Sequence, residues 1–375
     1  MKHGAHEIMS ERLKIRKADS TFRSLQYENN LYDFSSNDYL GFSRSSELHQ
    51  LIRSALDEYP QTLSGATGSR LLSGNSAFAE QLEKEIADYH HAANGLIFNS
   101  GYAANTALFS CLPQKDDTII HDELIHASTI DGSRLSYATR LKFKHNNLED
   151  LEKKLRGSTG VCYVAVESIY SMDGDMADLI GISSLCQLYN AHLIVDEAHA
   201  FGVTGTGLVD LLGIQEAVFA RIITFGKALG LHGSIILGTD LLRDYLINFA
   251  RPFIYTTALP FSQLLAIRIS YKHLLAYPDL QVKLKHKSLL LKTNLPQQNQ
   301  LHQEDNTGAI HCILLPGNAE AIQFSRALQG NGFDVRPILN PTVPKGKERL
   351  RICVHLHNTD EEILDLCHNI KQLSQ

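Results

Sequence analysis

Three local patterns in this chain place reactive groups where they have chemistry to do. Lys227 sits in Thr224-Phe225-Gly226-Lys227-Ala228-Leu229-Gly230, between two apolar runs, with a glycine on either side. A solvated surface lysine is the usual reading of any one lysine, but a flexible charged stem has no structural reason to stand among small and apolar residues. A lysine so placed serves as a Schiff-base amine. Asp196 ends the apolar run Ala191-His192-Leu193-Ile194-Val195 and is followed by Glu197-Ala198-His199. An acid at the carboxyl end of a parallel strand faces the crevice where α/β proteins bind ligands. Asn99-Ser100-Gly101-Tyr102 follows the run Leu96 to Phe98 and opens a helix-like segment. Such a turn offers backbone N–H groups and a helix N-terminus to a phosphate, although alone the signal is weak and a tight turn without a ligand is the more common case.

Other readings of these residues fare worse. Asp-Glu-Ala-His matches a helicase motif, but that chemistry requires GxxxxGK followed by Ser or Thr. Gly226-Lys227 is followed by Ala228 and has Arg221 where the first glycine belongs. His121 and His126 are five residues apart, off the i, i+4 spacing that lets two histidines share a helix face, so no metal site is expected there. Ser171 beside Asp173-Gly174 reads as a turn residue, and Arg351 as one half of an ion pair.

These groups need a frame. Short β-branched runs alternate with segments of helical period, the pattern of an α/β fold. The runs are Leu96 to Phe98, Thr118 to Ile120, Val161 to Val166, His192 to Val195, Ile222 to Phe225 and Ser234 to Leu237. They lack polar alternation, which predicts a mostly parallel sheet buried on both faces. Phe78, Leu82 and Ile86 recur every four residues behind Ser76, predicting an amphipathic helix with a serine N-cap. From about Pro260 the texture changes. A long helix through Tyr271 and His273 leads to the polar stretch Asn294 to Asn306, then Ile310 to Leu315, a helix near Ala319 to Gln329, and the strand-like Leu350 to His355. With 375 residues, beyond the roughly 250 to 300 at which a single core stops growing, the chain should divide. The expected parts are an N-terminal arm over 1–36, with the strand-like Leu31 to Phe34, a large domain over 37–270 and a small α+β domain over 271–375.

Composition narrows the classes. Hydrophobic residues at 43% and charged residues at 20% describe a globular rather than a disordered chain. Lys+Arg 35 against Asp+Glu 41 gives −6, so no overall positive field attracts nucleic acid. The longest uncharged stretch, Tyr89 to Gln114, is broken by polar residues and Pro113, and neither a membrane span nor a signal peptide is expected. The six cysteines form no CxxC pair and suggest neither disulfides nor zinc. The expected location is the cytoplasm.

An amine, an acid at a strand end and a phosphate turn together form the set that pyridoxal 5′-phosphate requires: an imine partner, an anion for the pyridine nitrogen and a phosphate cup. The chain resembles the α-oxoamine synthases, a fold-type I family of pyridoxal-phosphate transferases. The resemblance runs through Phe34 to Gly41, Gly65 to Arg70, Phe98 to Asn105, His126-Ala127-Ser128, Tyr170 to Asp175, Val195 to His199, Thr224 to Lys227, Ile254 to Thr257, and Pro341 to Pro344 with Arg349-Leu350-Arg351. These stretches occur in family order over roughly residues 20 to 355. The resemblance implies a large domain with a mostly parallel central sheet and a smaller C-terminal α+β domain.

It also implies roles. Lys227 forms the Schiff base and moves the substrate α-proton, Asp196 pairs with the ring nitrogen, His126 stacks on the ring, and Ser171 and His199 bond its phenolic oxygen. Gly101, Tyr102 and Thr224 hold the phosphate, with Thr256 or Thr257 arriving from the second subunit of a homodimer. Arg351, and with it Arg349, binds the amino-acid carboxylate; Asn37 and Thr342 line the substrate side, and Arg23 lies near the acyl substrate. The closest family pattern is that of members joining L-alanine to a pimeloyl thioester of coenzyme A or acyl carrier protein with loss of CO₂. Members using glycine, or a longer acyl-CoA, are the alternative. A binding module without catalysis would have no chemical need for Lys227, Asp196 and His199 together.

Overall fold

The computed structural model describes residues 4–25, 30–62, 64–296 and 308–374. Most of the polar stretch Asn294 to Asn306 therefore lies outside the described residues. The chain forms two compact units: one of residues 37–171 and 175–284, the other of 1–36, 172–174 and 285–375. Residues 1–36, read as an arm, belong to the same unit as the C-terminal residues. The division falls inside the helix Leu280–Asn294.

The strands are β1 (Tyr32–Asp33), β2 (Asn94–Phe98), β3 (Thr118–Asp122), β4 (Thr139–Phe143), β5 (Cys162–Glu167), β6 (His192–Asp196), β7 (Val218–Thr224), β8 (Ser234–Gly238), β9 (Ile310–Leu314), β10 (Phe333–Asp334), β11 (Arg336–Ile338) and β12 (Arg349–Cys353). In the larger unit seven of them form one sheet in the order β2-β8-β7-β6-β5-β3-β4. Strand β8 runs antiparallel to both neighbours, and the other pairs are parallel. Every residue of β5 is buried, as a strand covered on both faces must be. One hydrophobic cluster gathers Leu108, Ile119, Ala165, Ile194 and Ile222, and another Ile120, Val164, Ile182, Leu193 and Val195. Alternate residues of β3, β5 and β6 thus enter different clusters, as a pleated sheet with two covered faces requires.

The expected runs leave out β4, β10 and β11 and place the start of β7 too late. Strand β4 was not read at all: Thr-Arg-Leu-Lys-Phe alternates, and its mostly exposed side chains reflect an edge strand with a single neighbour. Strand β7 begins at Val218, earlier than the apolar run suggests, because it contains Arg221. That arginine is buried and paired with Glu197 (2.7 Å) and Asp210 (3.0 Å). The same pairing gives the glutamate of Asp-Glu-Ala-His a structural task.

The helix Ala77–Tyr89 starts on Ser76, whose hydroxyl accepts from Ala79 N, and it buries Leu82 and Ile86. Full burial of each such side chain is worth about 1.5–3 kcal/mol. From the same helix the buried Glu83 accepts both Arg70 Nη1 (2.7 Å) and the Ile97 amide of β2 (2.9 Å), tying helix to sheet. The helices Gly101–Cys111 and Ala127–Leu135 meet at Gly132, where a Cβ would come within 2.9 Å of Thr106 Cα.

In the smaller unit β11, β12 and β9 form an antiparallel sheet in that order, and β1 pairs in parallel with β10. The helices Asn318–Gly330 and Asp360–Leu373 each bury one face, whereas Ala5–Ala18 buries none of its side chains. Among the described residues no helix is long and apolar enough to cross a membrane.

Candidate active site

Parallel strands deliver their last residues to one edge of the sheet. Strands β5, β6 and β7 end on Glu167, Asp196 and Thr224, and Glu167 lies directly opposite Asp196 in register. The Asp196 carboxylate accepts from Asn105 Nδ2 (2.7 Å) and the Ala198 amide (2.9 Å). Asn105 is itself buried on the helix Gly101–Cys111. Glu167 accepts the Ser171 amide through Oε2 (3.1 Å). Burial first, and then the nearby Asp196, push its pKa up to about 8 against the pull of Lys227.

Lys227 stands three residues past the end of β7, in the reversal to β8. The reversal is closed by Leu231 N to Phe225 O (2.9 Å), and Gly230 takes positive φ where a Cβ would collide with Ser43. Lys227 Nζ lies 2.7 Å from His199 Nε2; His199 Nδ1 lies 2.7 Å from the Tyr39 hydroxyl, which donates to Asn37 Oδ1 (3.1 Å). With Lys227 donating, Nε2 accepts and Nδ1–H donates to Tyr39, so every hydrogen bond in the row has one donor and one acceptor. Tyr39 and His199 are buried.

His126 caps the helix Ala127–Leu135 through Nδ1, which accepts the Ser128 amide (3.2 Å) and contacts Ser128 Oγ at 2.6 Å. Desolvation by its surroundings outweighs the attraction of Asp196 and, with Lys227 beside it, holds the imidazole below its ordinary pKa. The ring is therefore neutral near pH 7, with the proton on Nε2, and the residue is exposed.

A pyridoxal phosphate fits this donor set. Ser100 caps its helix by taking the Ala103 amide, leaving the Gly101 and Tyr102 amides with no protein acceptor among the described residues. The Thr224 side chain faces Gly101, 3.6 Å from where a Cβ would stand. Thr256 and Thr257 flank Asn99 of the same chain, whose Nδ2 reaches Thr256 Oγ1 (3.2 Å) and Thr257 O (2.8 Å). Cation, acid and open amides thus stand at one end of the sheet, and Ser171 follows Glu167 by one turn.

The remaining sequence candidates belong to the smaller unit. Arg351 is buried on β12 with Nη1 donating to Cys353 Sγ (2.9 Å). Arg349 is buried, donates through Nε to Lys347 O and forms an ion pair with Asp173. Thr342 and Arg23 are exposed. Sequence reasoning gave no role to Tyr39, Asn105 or Glu167. Tyr39 and Asn105 stood inside recognised stretches, and that position was the signal available; Glu167 stood outside them, and its buried acid at a strand end was the corresponding clue.

The aminotransferase class I and II family matches residues 29–370. The 8-amino-7-oxononanoate synthase of Emericella nidulans is 42% identical over 363 residues, covering 90% of this chain and 88% of that protein. Among solved structures, the 8-amino-7-oxononanoate synthase of Francisella tularensis is similar with a TM-score of 0.79 at 29% identity, over 92% of this chain and 98% of that one. The serine palmitoyltransferase of Sphingomonas wittichii is similar with a TM-score of 0.87 at 26% identity, over 97% and 96%. These likenesses show that the chain belongs to the aminotransferase class I and II family and, within it, to the α-oxoamine synthases, pyridoxal-phosphate-dependent acyltransferases of fold type I.

Proposed function

We propose that the protein joins L-alanine to a pimeloyl thioester, carried on coenzyme A or acyl carrier protein, to give 8-amino-7-oxononanoate, CO₂ and free thiol for biotin biosynthesis. The observation that carries the reading is the 2.7 Å contact between Lys227 Nζ and His199 Nε2, beside an acid at the end of the neighbouring strand β6. When bound, the cofactor supplies an electron sink for the amino-acid α-carbon. The Asp196 carboxylate, fixed by Asn105, would hold a proton on the ring nitrogen. His126 would hold the cofactor ring, and Ser171 and His199 would bond its phenolic oxygen. The Gly101 and Tyr102 amides and the Thr224 hydroxyl would take the phosphate, joined by Thr256 or Thr257 of a second subunit if the protein forms the homodimer proposed for it in the cytoplasm.

Lys227 then removes the alanine α-proton, with its amine aimed by His199 and, through it, by Tyr39. The α-carbon bonds to the thioester carbonyl, the thiolate leaves, the carboxylate departs as CO₂, and a proton returns to the carbon. Arg351 holds the alanine carboxylate by a bidentate guanidinium contact. Arg349, already balanced by Asp173, supports the same strand, while Asn37, Thr342 and Arg23 contact the substrates.

Incubating the purified protein with pyridoxal phosphate and a matrix of amino acids and acyl thioesters tests this. Alanine with a pimeloyl thioester should give the amino ketone and one CO₂ per thiol released. A preference for glycine, or for a longer acyl-CoA, would replace the reading by another α-oxoamine synthase activity.

A further inference from the structure

Glu167 is a buried acid that the reaction outlined above does not use. It ends β5 directly opposite Asp196 on β6, is almost wholly buried, and presents one oxygen to the Ser171 amide. Its other oxygen, Oε1, makes no well-formed hydrogen bond among the described residues, although the His126 backbone amide lies near the carboxyl. Two carboxylates at adjacent strand ends repel, and burying both as anions is costly. Asp196 is the one supplied with two N–H donors, from Asn105 and Ala198.

We propose that Glu167 is a positioning residue that works as a neutral carboxylic acid, holding the Ser171 turn in place while leaving Asp196 as the anion that faces the cofactor ring. This rests on the pyridoxal-phosphate reading of the site. The groups facing the Glu167 carboxyl are Asp196 on β6, Lys227 beyond β7, the His126 backbone amide and the buried Tyr170 hydroxyl, which also feels Asp122 and Asp175. Asp196 and burial favour the protonated acid; Lys227 and the Ser171 and His126 amides favour the anion, and the first pair prevails up to about pH 8. A neutral acid beside Ser171 adds no negative charge next to the phenolic oxygen that Ser171 bonds. It also leaves the ring-nitrogen proton with a single acceptor.

Because the folded chain keeps this proton to about pH 8 and an unfolded glutamate loses it near 4.5, the carboxyl's stabilising contribution is present at low pH and fades as pH rises between those values. Thermal unfolding of the cofactor-free full chain, wild type against Glu167→Gln, reads this directly. The wild type's advantage over the glutamine variant should shrink steadily from about pH 5 to about pH 8; an advantage that is constant or grows with pH overturns the proposal. Cofactor affinity gives the second readout: Glu167→Ala should weaken it about tenfold, and Glu167→Gln should restore it to within about threefold, as expected for loss and return of one buried hydrogen bond. A glutamine variant as weak as the alanine variant overturns the proposal. Failure of the wild-type protein to bind pyridoxal phosphate would sink the cofactor reading instead, and the unfolding comparison would still decide the state of Glu167.

Discussion

Lys227 Nζ and His199 Nε2 stand 2.7 Å apart, and the same imidazole reaches Tyr39 through its other nitrogen. The lysine is thus held at the end of a row of hydrogen bonds, the middle one buried and the outer two partly buried, rather than left to swing on its four-carbon stem. Replacing His199 by alanine removes the partner that aims the amine and should lower turnover by about 10²–10⁴-fold, the range for loss of a positioned proton-transfer group. Single-turnover kinetics of alanine α-proton exchange, with no acyl donor present, measures this step alone.

Tyr39→Phe keeps the ring and removes only the hydroxyl between His199 and Asn37. Loss of one net hydrogen bond is worth about 0.5–1.5 kcal/mol, so turnover should fall about two- to tenfold with little change in folding temperature. A larger loss of activity would assign the hydroxyl a direct part in proton transfer.

Asn105 donates at 2.7 Å to the Asp196 carboxylate, and a hydrogen bond to a charged group contributes about 1.5–3 kcal/mol. Asn105→Ala should therefore weaken pyridoxal-phosphate affinity about ten- to a hundredfold. Equilibrium titration of the cofactor-free protein, followed by visible absorbance, supplies the number.

Gly132 lies where two helices touch, and a Cβ there would press on the Thr106 backbone and Asn105 O. Gly132→Ala should cost about 1–3 kcal/mol by overpacking and, because Asn105 sits on the displaced helix, weaken cofactor binding as well. Denaturant unfolding alongside the same titration separates the two effects.

His145 lies between two buried carboxylates, Asp122 (2.9 Å) and Asp175 (2.5 Å). Burial alone would lower its pKa, but the bonds to these two acids outweigh it and raise the imidazole to about 10. The resulting stability is fully present below the unfolded value near 6.5 and is lost as pH rises through about 10. Wild-type unfolding temperature should fall over that window, and His145→Asn, which leaves the acids without a cation, should lose the fall together with about 3–5 kcal/mol of stability at neutral pH.

The chemistry was legible where it is local. Lys227, Asp196 and His199 each stand within three residues of an apolar strand end, so their neighbours announce them. Tyr39 could not be read this way, since it meets His199 from 160 residues away and only the fold brings them together. Glu167 reads as the last letter of a strand until register sets it opposite Asp196. The β-branched runs marked the buried strands, whereas β4 carries Arg140 and Lys142 on an edge and has no such run. Arg221 hid the start of β7 because its charge is neutralised by Glu197 and Asp210, residues that sequence alone does not pair with it.

The central claim is that Lys227 is the amine around which this site is built. Borohydride reduction of the protein incubated with pyridoxal phosphate, followed by peptide mass mapping, tests it most directly. The account predicts a single cofactor adduct, on the peptide carrying Lys227, that disappears in Lys227→Ala; an adduct on another lysine, or none under conditions where the cofactor is bound, would contradict it.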